Sequence, residues 1–283
     1  MVIDTHVRPA LYAPICTDQA HTAKRCDEMN YHLMGPTDLA LLKKQYALAD
    51  IAHAFLLPSD CRAETKTPAI SNDEIAQLVR CEPELFWGFA TVDPRCSDAS
   101  EELERAFSQL NLRGLYLNTA RLHLYPTDER CTPLYALCQR YHKPIIFHAG
   151  LCLEQNALAM YARPADFEEV VYRYPELNIC LAHVGWPWVQ ETAALLIKYP
   201  NLYTNTALMS FDGPQQLYHK VFQEDMGTYW LEHNIADKVM FGSDTPRIRP
   251  VRSKRGLDSL GLSTETLEKI YYKNALRFLK KEE

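Results

Sequence analysis

The sequence predicts an α/β chain folded as one (β/α)8 TIM-type barrel, and three observations carry that prediction. Short apolar runs rich in β-prone residues alternate with amphipathic stretches throughout the chain. Eight such runs fall near residues 2–6, 51–57, 86–92, 113–118, 144–148, 178–183, 202–206 and 238–243, and eight strands close a barrel. The length of 283 residues suits one such barrel, so residues 1–283 are read as one domain.

Taken in order, strand one is followed by residues 8–36, which contain Pro9, Pro14 and Pro36 and exceed an ordinary βα connection. This segment is read as an extended loop, either a substrate lid or a contact between copies of the chain. Thr37-Asp38 then opens a helix with Leu39, Leu41 and Leu42, and Ser71-Asn72-Asp73-Glu74 opens another with Ile75, Leu78 and Val79. Residues 97–102 lead into the helix of Leu103 and Phe107. Later helices are expected near 131–142, 164–174, 188–199, 214–233 and 264–280, with Pro133 and Pro164 in first turns. No repeat, low-complexity tract or interdomain linker is evident.

Composition narrows the function classes. Hydrophobic residues make up 47% and charged residues 23%, enough for a large core under a water-compatible surface. Thirty basic against 36 acidic residues give a net charge of −6, and no stretch concentrates Lys and Arg, which argues against nucleic acid. No leader pattern or membrane-spanning apolar run is seen, so the expected partner is a small-molecule substrate and the expected location the cytosol. The nine cysteines form no C-x-x-C pair and are expected to be reduced; Cys152 and Cys180 lie near candidate histidines but read first as small buried hydrophobes.

Four of the strand runs stop at a His or Asp: Ile3-Asp4-Thr5-His6, Ile145-Ile146-Phe147-His148, Cys180-Leu181-Ala182-His183 and Phe241-Gly242-Ser243-Asp244. A parallel barrel presents its reacting side chains at such strand ends. Imidazole and carboxylate ligands suit Zn²⁺, with Mn²⁺ as the other choice, and a catalytic ion commonly keeps three protein ligands and an open position. His6, His148 and Asp244 are the expected ligands, although each alone has a plain structural reading as a cap or an interior hydrogen-bonded group. His183 is assigned general acid–base or water-orienting work with Asp244; a fourth ligand, or a ring stacked under Trp186, are the other readings.

Several further segments accompany these strand ends: Phe86-Trp87-Gly88-Phe89-Ala90-Thr91-Val92-Asp93-Pro94, Leu112-Arg113-Gly114-Leu115, Tyr174-Pro175-Glu176-Leu177, Tyr199-Pro200-Asn201-Leu202-Tyr203 and Asn274-Ala275-Leu276-Arg277. In number, order and spacing the chain resembles the amidohydrolase-related family, which includes aminocarboxymuconate-semialdehyde decarboxylase, benzoate decarboxylases, oxalomesaconate hydratases and pyrone-dicarboxylate lactonases. The resemblance implies the ligands His6, His148 and Asp244 and the base His183. It also exposes a departure, because the family's first motif is His-x-His and Arg8 stands in place of its second His. A ligand is lost and a permanent cation gained, which puts metal binding in doubt.

Side chains two apart on a strand share a face, so Arg8 should point into the site, where its fork could grip a substrate carboxylate. Arg247, Arg249 and Arg252 could add to that grip or form a solvated loop cluster. Asn118, at the end of strand four, and Trp186, beyond His183, are further candidates for substrate contact, whereas Trp188 reads as packing. The leading expectation is a hydrolase that uses metal-activated water on a lactone, ester or amide of a small carboxylated or aromatic compound. The alternative is a lyase, metal-dependent or metal-free, that decarboxylates or hydrates a small unsaturated acid. A catalytically idle binding barrel is the third reading, since fold alone does not fix chemistry.

Overall fold

The computed structural model describes residues 1–31, 34–207, 213–227 and 229–280. Eight parallel strands are present among them: β1 (Val2–Val7), β2 (Ile51–Leu56), β3 (Phe86–Gly88), β4 (Leu115–Leu117), β5 (Ile145–Phe147), β6 (Ile179–Leu181), β7 (Leu202–Asn205) and β8 (Val239–Met240). They form ladders β1-β2-β3 and β4 to β8, each strand beside its sequence neighbour. Single bridges join the ladders, Ala90 with Leu115 on one side and Val7 with Thr245 on the other, so the barrel closes. The predicted TIM-type barrel is the observed fold.

Burial follows the period of two that a strand imposes. Tyr116, Ile146 and Cys180 sit inside the barrel with Ile3, Phe55, Phe89 and Met240, while their neighbours Leu115, Leu117, Ile145, Phe147, Ile179 and Leu181 pack outward under the helices. A register irregularity between Asp4 and Val7 resets the alternation of β1, so Val7 faces the outer layer although Ile3 faces inward, and His6 and Arg8 share the inner face. The helix Asn72–Cys81 starts where Ser71-Asn72-Asp73-Glu74 signals it, with Ser71 and Glu74 forming a capping box, and burial of Ile75 and Leu78 fixes its inner side.

Three expectations are corrected. Strand three keeps ladder pairing only over Phe86–Gly88, because the following residues cross the seam and Ala90 pairs singly with Leu115. Residues 8–36 are no plain loop: a 3-10 turn (Ala13–Ile15) and an α-helix (Gln19–Met29) lie within them. The expected helix 214–233 is divided into Pro214–His219, a π-helical turn Lys220–Asp225 and Trp230–His233, and an unanticipated helix Pro250–Asp258 carries Arg252. Among the described residues no helix is long and apolar enough to cross a membrane. All nine cysteines are free thiols.

Candidate active site

His6, Arg8, His148, His183, Asp244 and Arg247 meet at the carboxyl ends of the strands around a cavity of about 20 Å³, joined by Glu154 and roofed in part by Met29, Tyr31, Cys152 and Leu153. That volume is close to what one water requires. His183 and Asp244 are held in left-handed backbone, at φ 62° and 66°, which turns their side chains inward just past the ends of β6 and β8. Val184, a β-branched residue at φ 52°, carries the same strain, a feature that tends to cluster at functional sites.

Asn205, at the end of β7, organises two of the histidines. Its Oδ1 accepts from the backbone N–H of His183 at 3.0 Å and of Ala207 at 3.4 Å, which fixes the amide so that Nδ2 faces His6 Nδ1 at 3.4 Å. An NH₂ group donates, so the neutral His6 ring carries its hydrogen on Nε2. That atom is buried with no hydrogen-bond partner and lies 3.7 Å from Asp244 Oδ1. Burial, with His183 and Arg8 nearby, pushes the proton affinity of His6 well below the ordinary range.

The other two rings form a chain. His183 Nδ1 meets the Ala207 carbonyl at 3.2 Å, His183 Nε2 meets His148 Nδ1 at 3.1 Å, and His148 Nε2 meets the Leu151 carbonyl at 3.2 Å. Satisfying all three contacts takes three hydrogens, one more than two neutral imidazoles carry. Burial opposes the extra charge: His148 is pushed down to about 4, with Glu154 working against the shift, and His183 falls well below its usual value. At neutral pH both rings are neutral and the chain has room for one proton.

Asp244 behaves in the opposite sense. Burial pushes its carboxyl up to about 6 although Arg247 and Arg8 favour the anion. Arg247 Nε lies 3.3 Å from Asp244 Oδ2, its Nη2 donates to the Met29 carbonyl at 2.8 Å, and its guanidinium lies over the Tyr31 ring. Arg8 is held by Tyr116, whose hydroxyl accepts from Nη1 at 2.8 Å, and by Glu154, whose Oε1 accepts from Nη2 at 2.6 Å. Burial penalises the ionised Glu154, but Arg8 and His148 outweigh it and the carboxyl titrates below its usual range.

These hydrogen bonds decide whether the groups suit a divalent ion. His6 presents N–H at Nε2, His148 Nε2 faces a carbonyl, and Asp244 Oδ2 is engaged by Arg247. Among the described residues no three His, Cys, Asp or Glu side chains are placed to hold a metal. A divalent ion held in this cavity would also meet the repulsion of two cations that line it, the buried guanidinium of Arg8 and that of Arg247. The expected ligand set His6, His148 and Asp244 is thus brought together but does not fit Zn²⁺ or Mn²⁺ in this arrangement.

Other candidates lie elsewhere. Asn118 accepts from the Arg121 N–H at 3.2 Å and donates to Cys152 Sγ at 3.3 Å, which ties a short helix to the loop after β5. Trp186 is half-buried against the outer core and borders a surface groove with Trp188. Arg249 lines a neighbouring cleft of about 480 Å³ with Arg252, Thr37 and Gln45, and Arg247 borders both spaces. Burial pushes the Cys152 thiol up to about 12, so it is no nucleophile. Sequence reading missed Asn205, Tyr116 and Glu154; the first two sit at or near strand ends where polar residues invite attention, while Glu154 is a lone loop acid without such a signal.

The sequence model of the amidohydrolase family matches residues 3–281, and the chain belongs to that family. It is 25% identical over 130 residues to the 2-amino-3-carboxymuconate-6-semialdehyde decarboxylase of Dictyostelium discoideum, a match spanning 40% of this chain and only 36% of that protein. The uncharacterized TIM-barrel protein Bb4693 of Bordetella bronchiseptica shares the fold at TM-score 0.78 and 21% identity, covering 99% of this chain and 98% of its own. A dihydroxybenzoic acid decarboxylase of Polaromonas sp. JS666, solved with bound manganese and the inhibitor 2-nitroresorcinol, does so at TM-score 0.65 and 16% identity, covering 99% and 96%.

Proposed function

We propose that this protein is a lyase that removes a carboxyl group from a small aromatic or unsaturated acid. The observation that carries this reading is Asp244, a buried carboxyl with a proton affinity near 6 beside Arg247. At pH 7 roughly one molecule in ten holds that proton, enough for a general acid. The decarboxylase relatives support the same class. The hydrolase expectation relied on metal-activated water, and the donor set gives that step no footing.

In the proposed reaction Asp244 delivers its proton to the carbon that bears the substrate carboxylate. A C–H bond forms, the C–C bond to the carboxylate breaks, its electron pair returns to the π-system, and CO₂ departs. The Asp244 anion left behind is stabilised by Arg247 until it regains a proton. That proton comes from solvent water, and the neutral His183–His148 chain, with room for one proton, can relay it. Such a substrate exceeds the 20 Å³ cavity, so Met29, Tyr31 and Leu153 must move aside on binding, which makes the end of the helix Gln19–Met29 and Tyr31 part of the lid.

The test is CO₂ release from a panel of hydroxybenzoic and unsaturated dicarboxylic acids, followed as a function of pH. Turnover should fall about tenfold per pH unit above 6 as Asp244 loses its proton, and Asp244→Asn should lower it by at least about 100-fold. A rate that rises through pH 6 to 8, with ester or lactone cleavage and no CO₂, would establish hydrolysis instead.

A further inference from the structure

We propose that the Arg8–Glu154 pair is a resident substitute for a metal ion: a cation fixed in the chain, whose Nε–H serves as the donor to a substrate oxyanion. Several observations converge on it. Arg8 stands two residues after His6 on the same inner face and lines the same cavity as His148, His183 and Asp244. Its guanidinium is 5% and the Glu154 carboxylate 8% exposed, so the pair is taken out of water together. A buried cation alone is unfavourable, and Glu154 supplies the counter-charge at 2.6 Å, reaching in from the loop after β5 that also follows His148.

The fork is also directed. Tyr116 takes Nη1 and Glu154 takes Nη2, while Nε is buried with no hydrogen-bond partner. A buried guanidinium N–H without a partner calls for one, and because Arg8 lines the cavity its Nε–H is available to donate to a ligand there. A metal ion at a barrel mouth polarises a substrate oxygen through charge; the Nε–H of a permanently protonated arginine does so through a charge-assisted hydrogen bond. Asn205 completes the exchange, since the hydrogen it directs onto His6 Nε2 removes a lone pair a metal would need. The inference concerns the cation of the site and holds whichever bond the site breaks.

Metal binding tests it without any substrate. Chelator-treated wild type, R8H and R8K are dialysed to equilibrium against Mn²⁺ or Zn²⁺, and bound ion per chain is measured by elemental analysis, with thermal melting on the same samples. Wild type and R8K, which both keep a cation, should bind no stoichiometric ion at about 10 µM free metal. R8H should bind one ion at least about 100-fold more tightly than wild type, and its melting temperature should rise with metal. One tightly bound ion per wild-type chain, or a folded R8H variant with no gain in affinity, would overturn the proposal. Should R8H fail to fold, the wild type and R8K decide alone: an ion bound by either at full occupancy refutes the substitution.

Discussion

Arg8 and Glu154 are 146 residues apart in the chain and 2.6 Å apart in the fold. That separation explains what the sequence could and could not disclose about the site. His6, His148, His183 and Asp244 were legible because each ends a strand run, and a parallel barrel brings strand ends together whatever their spacing. Arg8 was legible as an inward-facing cation, but its partner was not, since a carboxylate in a loop has no periodicity to place it. With Tyr116 and Glu154 in view, Nη1 and Nη2 of the guanidinium are engaged within the protein and Nε–H is left for a substrate. Removing one member of a buried pair strands the other charge. Glu154→Gln should therefore cost about 3–5 kcal/mol in urea unfolding, whereas the double variant R8M/E154L, which removes both charges, should recover most of that loss. Equal stability of the single variant and the wild type would mean that the pair is open to solvent.

At the scale of elements, the longer helices that were foreseen bury apolar stripes, and the two longest that were not, Gln19–Met29 and Pro250–Asp258, bury few apolar side chains. Ile75 and Leu78 announce the helix Asn72–Cys81, but the helix Gln19–Met29 buries only Arg25 and Met29, so hydrophobic periodicity is silent there. Its ends do carry signals: Asp18 accepts from the His21 N–H at 2.8 Å, and Asn30 closes it in left-handed backbone at φ 57°. Pro250–Asp258 likewise buries Ser253 and Gly256 with a single large aliphatic, Leu257. What fixes Gln19–Met29 on the barrel is polar. Arg25, fully buried, donates to the carbonyls of Ala69 at 2.6 Å and Ala10 at 3.0 Å and pairs with Glu74. Arg25→Met should cost about 3 kcal/mol and, more tellingly, speed amide exchange over residues 19–31, since the helix loses its anchor beside the cavity. If exchange there stayed as slow as in β2, the helix would be held by something other than Arg25.

For the whole molecule the decisive joint is where β1 meets the end of β8. Thr5 N–H donates to the Phe241 carbonyl at 2.9 Å, Asp244 N–H to His6 at 2.9 Å and Arg8 N–H to Thr245 at 2.8 Å, so closure of the barrel and assembly of the site are one event. Asp4 reinforces that joint, accepting from the Ser243 N–H at 2.9 Å, from its hydroxyl, and from the His6 N–H at 3.2 Å. Burial pushes the Asp4 carboxyl up to about 7 despite those donors. A carboxyl whose folded proton affinity lies above its unfolded value of about 3.9 stabilises the fold fully below that value and loses the contribution as pH rises through 7. Three pH units correspond to roughly 4 kcal/mol at most. The buried histidines act with opposite sign: their lowered affinities favour the fold above about 6.5 and weaken it in acid. The two sets partly cancel in the wild type, so the Asp4 contribution has to be read as a difference. The stability of Asp4→Asn relative to wild type should rise progressively between pH 4 and 7, measured by urea unfolding at each pH, because the amide keeps the shape of the joint and carries no charge to bury. A difference that is flat across this range would mean that Asp4 is ionised in the closed barrel at pH 4, and that its three donors outweigh its burial.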